Sequence, residues 1–490
     1  MKNKEFDYKF SLNFLKRINE AVYKNHNFYN SFVFKDYDLW HSYQMLIFAD
    51  IKQYSKYGES YFCKNKKVLV KIKNFIFGCF SIFISTLAIL ILILKRKKII
   101  IYSVDRINSK YKSDLRIEAI YNFLYENNLK YTEFFHTIFG KDFLKNFLIR
   151  KRFSIYMEGF DFLYSIFYKR NSFSGIENII NLDQFSSKEK SLAIFILTKY
   201  FYYKDISKFK ISIFSKILKV SSVKALFTID DVRYYNELIL ACKINNIKTY
   251  AVQHGHFTKY HVGWLYNNFS KKKIIKPNKL LVWSDYWKRE LLRLGTYFSF
   301  KDIEVGGVNK IKIIKKYKKG KRIDKSINLL IPYEADAPKK EVKGYMDKFI
   351  NLGGVKIFFK VRSDVLKRKQ LEDYGIYNGY NKKIIVVSDM EKVIDKIDIV
   401  VGVYSTFLYD VILYKKPVLI LSTSMDYGYG MIKNNLANII SENEKDLLKR
   451  LLEIKNINYA TLIKRREILF GKSISNLKNT LNKIKFSDNF

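Results

Sequence analysis

The feature that most constrains this chain is a repeated order of short apolar strand, polar turn and helix. Strands are predicted at 225–229, 249–253 and 280–283, and helices at 234–245 and 286–294 alternate with them. Successive strands joined by helices form parallel sheets, because right-handed crossovers return each strand to the same sheet. The order therefore predicts an α/β domain with helices on both faces of a parallel sheet.

The same order returns after a lysine-rich stretch, which indicates a second domain of the same kind. Its strands are predicted at 327–331, 355–359, 384–387, 397–403 and 418–421. The lysine-rich stretch lacks apolar anchors, so we interpret it as a linker. We predict two Rossmann-like domains that face a central cleft, behind a helical N-terminal region. The predicted limits are 1–98 for the N-terminal region, 99–310 for the first Rossmann-like domain, 311–326 for the linker, 327–442 for the second Rossmann-like domain and 443–490 for basic C-terminal helices.

One long segment, residues 75–94 (FIFGCFSIFISTLAILILIL), carries no charged side chain and is long enough to cross a bilayer. Lys71 and Lys73 precede it, and KRKK at 95–98 follows it. Cations on both flanks favour no orientation across a membrane, and they suit two ends that meet anionic headgroups on one side. We predict an anionic membrane surface as a partner, with the protein peripheral or anchored by 75–94 at the cytoplasmic face of the inner membrane. The alternative is a buried core helix.

The charge and the cysteines limit the partners and the compartment. The chain has 89 Lys and Arg against 46 Asp and Glu, a net charge of +43 that attracts phosphates, although a biased genome also produces such a surplus. The lysines are spread along the chain instead of being interleaved with aromatic residues in one module, so we predict no nucleic-acid partner. Cys63, Cys79 and Cys242 show neither metal-binding nor disulfide-framework spacing, which suits a reducing cytoplasm.

Polar side chains collect directly after the predicted strands of the second domain, where parallel α/β sheets bind ligands. Lys360 and Arg362 would project to the same side of an extended segment and neutralise a phosphate or diphosphate, although a solvated basic edge is the alternative. Ser405 and Thr406 precede a helix, where a cap and a phosphate site are compatible. Asp389 and Met390 would border a nucleobase.

In the first domain, His254 is the catalytic candidate. It follows the strand at 249–253, and a neutral imidazole there would accept a proton from a hydroxyl group. A buried structural histidine is the alternative, and Glu334 is the alternative base. No third-ligand spacing accompanies the nearby histidines, so we predict no metal. Further positions for an acceptor or for the wall of the cleft are Gly255, His256, Ser284 and Asp285.

Several short motifs together resemble the bacterial capsule and surface-carbohydrate glycosyltransferases of the GT-B fold. The resemblance spans about residues 225–440, and it extends at the donor-side helix to the CDP-glycerol glycerophosphotransferases. The chain departs from it at Lys360-Val361-Arg362, where many relatives carry Lys-x-His-Pro. The motifs that carry the resemblance are AVQHG at 251–255, VWSDYW at 282–287, VGG at 305–307, VYSTFLYD at 403–410 and KPV at 416–418.

The resemblance implies a GT-B-like, metal-independent transferase with His254, Ser405 and Thr406 in its active cleft. Asp36-Tyr37-Asp38 spells the DxD of metal-dependent glycosyltransferases, but it follows no strand, so we predict a cap or turn there. We expect sugar transfer from a nucleotide-sugar donor to a growing or lipid-linked surface polysaccharide, with no cofactor. A CDP-polyol phosphotransferase, a sugar-nucleotide epimerase and a non-catalytic membrane-associated binding protein remain alternatives.

Overall fold

The described residues form two compact units. The first contains the N-terminal part of the chain to Asn309, without Ser284–Tyr286, and its C-terminal end; the second contains Ser284–Tyr286 and residues from Lys310 to Ser475. The computed structural model describes residues 8–58, 68–104, 112–137, 147–150, 152–168, 175–229, 235–265, 269–308, 326–362, 367–376, 384–390, 392–426, 428–472 and 477–488.

The N-terminal region is part of the first unit, and it consists of helices and a hairpin with two residues in each strand. Asp38 caps the third helix, since its carboxylate accepts a hydrogen bond from the His41 N–H at 2.9 Å. This contact confirms the predicted cap at Asp38. The expectation that no strand precedes the segment is wrong, because a short strand ends at Phe34 and Tyr37–Asp38 pairs with it. The elements are α1 Tyr8–Lys24, α2 His26–Ser31, β1 Val33–Phe34, β2 Tyr37–Asp38, α3 Leu39–Ser42 and α4 Gln44–Tyr57.

The first unit is built on a seven-stranded parallel sheet. Its strands are β3 Ile99–Val104, β4 Tyr131–His136, β5 Ile155–Tyr156, β6 Ala225–Ile229, β7 Lys248–Val252, β9 Lys279–Val282 and β10 Ile303–Val305, and β8 Lys273–Ile274 instead pairs with β2. In the strand order β10-β9-β7-β6-β3-β4-β5, the sheet grows from β3 toward one edge and from β6 toward the other. The order in which strands are added therefore reverses between β3 and β6, and we call such a position the strand-reversal point. Ligands of doubly wound sheets bind beyond the carboxyl ends of the strands at such a reversal.

Helices cover both faces of this sheet. The longest, α8, begins with a capping box in which Ser186 and Glu189 satisfy each other's backbone N–H groups. The helices of this part of the chain are α5 Val68–Leu94, α6 Glu118–Glu126, α7 Met157–Phe167, α8 Ser187–Val220, α9 Asn236–Ile244 and α10 Asp285–Arg293.

Helix α5, which contains the uncharged segment, buries one face and exposes the other. A Cβ atom at Gly78 would lie 2.4 Å from the Phe162 ring, so the missing side chain lets α7 approach closely. The Ser85 hydroxyl accepts a hydrogen bond from the Tyr156 N–H at 2.8 Å. The buried residues recur at helical spacing and are Ser81, Ile84, Ser85, Ala88 and Leu92. The opposite face exposes Phe75, Ile76, Phe83, Leu90 and Leu94.

Within the described residues, Asn74–Leu94 is the one helical segment long and apolar enough to cross a membrane, and a third of it is buried. The alternative of a fully buried core helix does not describe α5, because only one face of the helix is buried. Since the buried face is held by α7 and β5, α5 is a surface helix of the first unit.

The second unit is built on a six-stranded parallel sheet of order β13-β12-β11-β14-β15-β16. Its strand-reversal point lies between β11 and β14. Its strands are β11 Ile327–Pro332, β12 Val355–Lys360, β13 Ile384–Val387, β14 Ile399–Gly402, β15 Val418–Leu421 and β16 Asn438–Ile440. The remaining helices are α11 Lys339–Asn351, α12 Lys367–Asp373, α13 Thr406–Asp410, α14 Tyr429–Lys433, α15 Leu447–Lys455, α16 Tyr459–Phe470 and α17 Leu477–Asp488.

The predicted α/β class with two Rossmann-like sheets is confirmed, and the domain limits differ at both ends of the chain. Residues 1–98 belong to the first unit instead of standing apart. Helix α17 also packs on the first sheet, because Leu477 and Leu481 are fully buried in its core and Thr480 donates a hydrogen bond to the Gly306 carbonyl at 3.1 Å. Most of the predicted linker, 311–325, lies outside the described residues.

Candidate functional site

The loop that carries His254 is held rigidly by the preceding glutamine. Gln253 is 2% exposed, and its amide oxygen accepts a hydrogen bond from the Trp283 N–H at 2.9 Å. The Gln253 carbonyl accepts from the Trp283 indole at 2.9 Å, and its amide nitrogen donates to the Gly255 carbonyl at 2.8 Å. These bonds tie the carboxyl end of β7 to that of β9, so His254 starts from a fixed backbone.

A second histidine, His256, lies two residues after His254 in this loop. His254 and His256 are both half-buried, and Gly255 between them is buried. Burial, reinforced by the neighbouring charge of His254, lowers the pKa of His256 to about 4. His256 is therefore a neutral imidazole near neutral pH, which suits hydrogen bonding to uncharged groups.

Two of the predicted acceptor positions differ in their surroundings. Ser284 is buried, and its hydroxyl donates a hydrogen bond to the Leu469 carbonyl at the end of α16. That contact contradicts the placement of Ser284 in a ligand-facing wall, because the hydroxyl already serves a helix end. Asp285 is exposed at the first residue of α10, as the sequence predicts for a strand-end carboxylate.

In the second unit, the buried carboxylate of Glu334 fills the strand-reversal point. Glu334 follows β11 and is 3% exposed. One carboxylate oxygen accepts hydrogen bonds from the Tyr404 and Ser405 N–H groups at 2.9 and 2.5 Å, and the other accepts from the Val403 N–H at 2.7 Å. Burial raises the pKa of Glu334, and the three N–H groups oppose that shift. The side chain thus binds the loop after β14 to the end of β11.

This contact bears on the predictions for Ser405 and for Glu334. The N–H groups expected to receive a donor phosphate at Ser405 already bind the carboxylate of Glu334, so a phosphate cannot use them without displacing it. Ser405 does cap α13, with its hydroxyl accepting from the Phe407 N–H at 3.2 Å, and the cap alternative is confirmed. A role for Glu334 as a base stays a prediction and would require release of the loop.

The predicted cations gather at the same edge of the sheet. Lys360 ends β12, and its ammonium nitrogen lies 5.0 Å from the centre of the Phe407 ring in the first turn of α13. Val361 is buried between the half-buried Lys360 and Arg362, as alternation along an extended segment predicts. Gln370 clamps the Arg362 backbone with two hydrogen bonds of 2.7 Å. A cation of β12 and the start of α13 are therefore neighbours.

Asp389 and Met390 lie at the outer limit of this edge. They follow β13, which is the edge strand next to β12. Asp389 is exposed and lies 4.0 Å from the Lys392 ammonium, while Met390 is half-buried. Their predicted contact with a nucleobase stays a prediction. Among the described residues, no group of three or more His, Cys, Asp or Glu side chains is placed to hold a metal ion.

Sequence reasoning missed a polar cluster at the carboxyl end of β4 and β5. His136 ends β4 and pairs with Glu158 of α7, and Lys210 of α8 lies between Asp161 and Glu237. No element between residues 128 and 224 was predicted. The available signal was the aromatic, β-branched run YTEFFH at 131–136, which ends on a histidine as the other strands end on polar residues.

Comparison with known proteins gives distant structural likenesses. No protein-family model and no curated protein matches the chain. The chain is similar to a putative UDP-N-acetylglucosamine 2-epimerase from Listeria monocytogenes, with 12% identity, a TM-score of 0.48 and coverage of 80% of this chain and 96% of the other. The chain is also similar to the UDP-GlcNAc 2-epimerase of Methanocaldococcus jannaschii in complex with UDP-GlcNAc and UDP. The identity is 13% and the TM-score 0.46, over 79% of this chain and 99% of the other.

The MurG of Acinetobacter baumannii is similar at 12% identity and a TM-score of 0.41, over 80% of this chain and 99% of the other. Likenesses of this degree are too distant to identify a reaction or a substrate.

The Glu334 contact predicts a local effect of the Glu334→Gln substitution. Both oxygens of the carboxylate accept hydrogen bonds, whereas the glutamine amide has one oxygen and an NH₂ group that cannot accept. At least one of the three hydrogen bonds is therefore lost, at a cost of about 1–3 kcal/mol. We expect faster hydrogen exchange at the Val403, Tyr404 and Ser405 amides and a lower midpoint of urea unfolding. Glu444→Gln, at an exposed site, is the matched control. Unchanged exchange at those three amides would contradict the assignment.

Proposed function

We propose that this protein is a glycosyltransferase that takes a sugar from a nucleotide-activated donor and adds it to a growing or lipid-linked surface polysaccharide. The observation that carries the proposal is the position of Lys360. Its ammonium group reaches from β12 to the first turn of α13, beside the strand-reversal point where doubly wound sheets bind nucleotides. Arg362, two residues further, adds a second cation on the same side of the chain.

The chemistry of a nucleotide-sugar donor fits these cations. When the bond to the sugar breaks, negative charge develops on the departing phosphate or diphosphate, and fixed cations stabilise that charge. Arginine binds phosphate oxygens in a bidentate manner, and lysine acts as a point charge. Metal independence is part of this proposal, because Lys360 and Arg362 supply the positive charge that a metal ion would supply.

His254 is the proposed proton acceptor for the attacking hydroxyl of the acceptor. The hydrogen bonds of Gln253 to Trp283 and Gly255 fix the backbone on which His254 stands. A base on a preorganised loop loses little entropy when it binds its substrate. The imidazole takes the hydroxyl proton as the new glycosidic bond forms and the nucleotide leaves.

The proposed location is the cytoplasmic face of a membrane, with α5 as the contact. Helices α5 and α7 are antiparallel neighbours, since Ser81 meets Gly159 and Gly78 meets Phe162. The exposed face of α5 therefore continues, beyond Phe75, toward the exposed end of α7. We call this surface the apolar face; it consists of Phe75, Ile76, Phe83, Leu90, Leu94, Ile166 and Phe167. Exposed Lys95, Arg96 and Lys98 border it and suit anionic headgroups.

Donor binding tests the proposal. Calorimetric titration of the full chain with CMP, CDP, UDP and GDP should show selective binding of one nucleotide. Loss of two charge-assisted contacts in Lys360→Ala/Arg362→Ala should weaken that binding roughly hundredfold or more.

The matched control is Lys356→Ala/Arg368→Ala, which removes the same charges from exposed positions on β12 itself and on the following helix α12. Equal weakening in the control would reduce the interaction to non-specific charge attraction. Absence of nucleotide binding by the unmodified chain would contradict the proposed function.

Vesicle flotation tests the membrane contact. The unmodified chain should float with vesicles that contain phosphatidylglycerol. Phe83→Asp/Leu90→Asp should lower the affinity for the vesicles roughly hundredfold or more, because each large apolar side chain contributes about 1.5–3 kcal/mol on burial. Val220→Asp/Leu448→Asp, at exposed apolar sites elsewhere, is the matched control. Equal loss in both double variants would show that net charge, and not the apolar face, governs attachment.

A further inference from the structure

A polar cavity of about 120 Å³ lies in the first unit, and none of its lining residues belongs to the loop of His254. His136, the last residue of β4, lines it, as do Asp161 of α7 and the first residues of α9, Asn236 and Glu237. Because α7 follows β5 and α9 follows β6, the cavity lies at the carboxyl ends of β4, β5 and β6. This is the ligand-binding edge of the sheet, beside the strand reversal between β3 and β6.

Each cation around the cavity is paired with at least one carboxylate, in contrast to the excess of cations in the chain as a whole. Lys210 is buried, with its ammonium 3.0 Å from an Asp161 oxygen and 3.3 Å from a Glu237 oxygen. Burial by itself would lower the pKa of Lys210, but Asp161 and Glu237 raise it above its usual range, so the group stays charged. Lys199 pairs with Asp50 at 2.6 Å.

The histidine at the cavity is also paired. Glu158 contacts the Nδ1 atom of His136 and accepts a hydrogen bond from the Thr137 N–H at 3.1 Å. Burial lowers the pKa of His136, but the charge and hydrogen bond of Glu158 outweigh burial and raise it. Every cation at the cavity thus has a carboxylate beside it, and the paired groups offer both hydrogen-bond donors and acceptors.

Tyrosines form the remaining polar wall. The Tyr43 and Tyr200 rings are 5.3 Å apart, and the Tyr200 and Tyr203 rings are 5.8 Å apart. Tyr43 donates its hydroxyl proton to Ser207 at 2.8 Å, and Ser207 donates to Glu237 at 2.9 Å. Tyr200 donates to Asp50 at 2.8 Å. The rings are therefore fixed before a ligand arrives, which reduces the entropy cost of binding.

From this combination we infer that the cavity binds an uncharged, hydroxyl-rich ligand, one sugar ring of the acceptor. The inference rests on the proposed function for the identity of the ligand as an acceptor. Paired donors and acceptors match sugar hydroxyls, and tyrosine rings pack on the carbon face of the ring. The volume of about 120 Å³ is several times the space that one water molecule needs, so the cavity admits a small ligand. The carboxylates of Asp161 and Glu237 would repel an anionic sugar, and the cation between them, Lys210, is already paired with both.

The experiment compares neutral glycosides with an anionic glycoside of similar shape. Saturation-transfer NMR on the full chain measures binding of methyl glucoside, methyl galactoside and methyl N-acetylglucosaminide, and of methyl glucuronide as the anionic counterpart of methyl glucoside. At least one neutral glycoside should bind, and it should bind at least tenfold more tightly than the glucuronide. No glycoside binding, or equal or tighter binding of the glucuronide, would overturn the inference.

Substitutions place the binding in the cavity. Leu46 lines it and is half-buried, so Leu46→Trp should fill the space and abolish glycoside binding. Leu448→Trp, at an exposed site in the other unit, is the matched control. Tyr203→Ala removes part of the aromatic wall at a site 36% exposed, and it should weaken binding severalfold without unfolding the chain.

Nucleotide binding by the same samples separates this inference from the proposed function. If nucleotide binding persists in all variants while glycosides bind Leu46→Trp and Tyr203→Ala as well as the unmodified chain, the cavity is not the sugar site and the donor assignment stands. If the unmodified chain binds glycosides at the cavity but no nucleotide, the proposed function fails and the sugar site remains.

Discussion

The second domain depends on one buried carboxylate. Glu334 follows β11 at the strand-reversal point, and its carboxylate accepts hydrogen bonds from the three backbone N–H groups of residues 403–405. Without Glu334, these N–H groups after β14 would lack a hydrogen-bond partner. With the loop held in this way, Ser405 caps α13 and Phe407 stands where the Lys360 ammonium reaches it. The N–H groups of residues 403–405 thus bind an internal carboxylate, and Lys360 reaches the first turn of the helix that follows them.

The two sheets present different chemistry at their carboxyl ends. The edge of the second sheet carries Lys360 and Arg362, which suit the phosphates of a donor. The edge of the first sheet pairs each cation with a carboxylate, as Lys210 is paired with Asp161 and Glu237. This contrast supports a division of labour in which a charged donor and an uncharged acceptor bind different domains. The apolar face of α5 would then keep the first domain beside a lipid-linked acceptor.

The fold could be predicted where strands are short, apolar and followed by polar residues. The strands at 225–229 and 384–387 are found at the predicted positions, and Ser405 caps a helix as its spacing indicates. The return of α17 to the first sheet could not be predicted, because Leu477 and Leu481 would suit either core. The half-packed state of α5 was hidden as well, since the pattern of 75–94 is apolar on all sides and only Gly78 and the two serines mark the packed face.

The site could be predicted in position but not in its contacts. Strand ends located Glu334, Lys360 and Arg362 correctly, yet no spacing reveals that the Glu334 side chain turns inward to bind residues 403–405, 69 positions or more away in sequence. Ser284 failed for the same reason, because its partner at Leu469 belongs to a distant helix. Such contacts depend on tertiary packing, which a single sequence does not encode in local patterns.

The central claim is transfer of a sugar from a nucleotide donor, and turnover of the donor tests it most directly. The full chain would be incubated with nucleotide sugars, with and without a lipid-linked glycan fraction, and nucleotide release and acceptor mass would be followed together. The account predicts nucleotide release coupled to a mass gain of the acceptor, both lost in His254→Ala while donor binding persists. Conversion of the donor sugar without any acceptor would identify an epimerase instead, and an unaltered donor under both conditions would contradict catalysis.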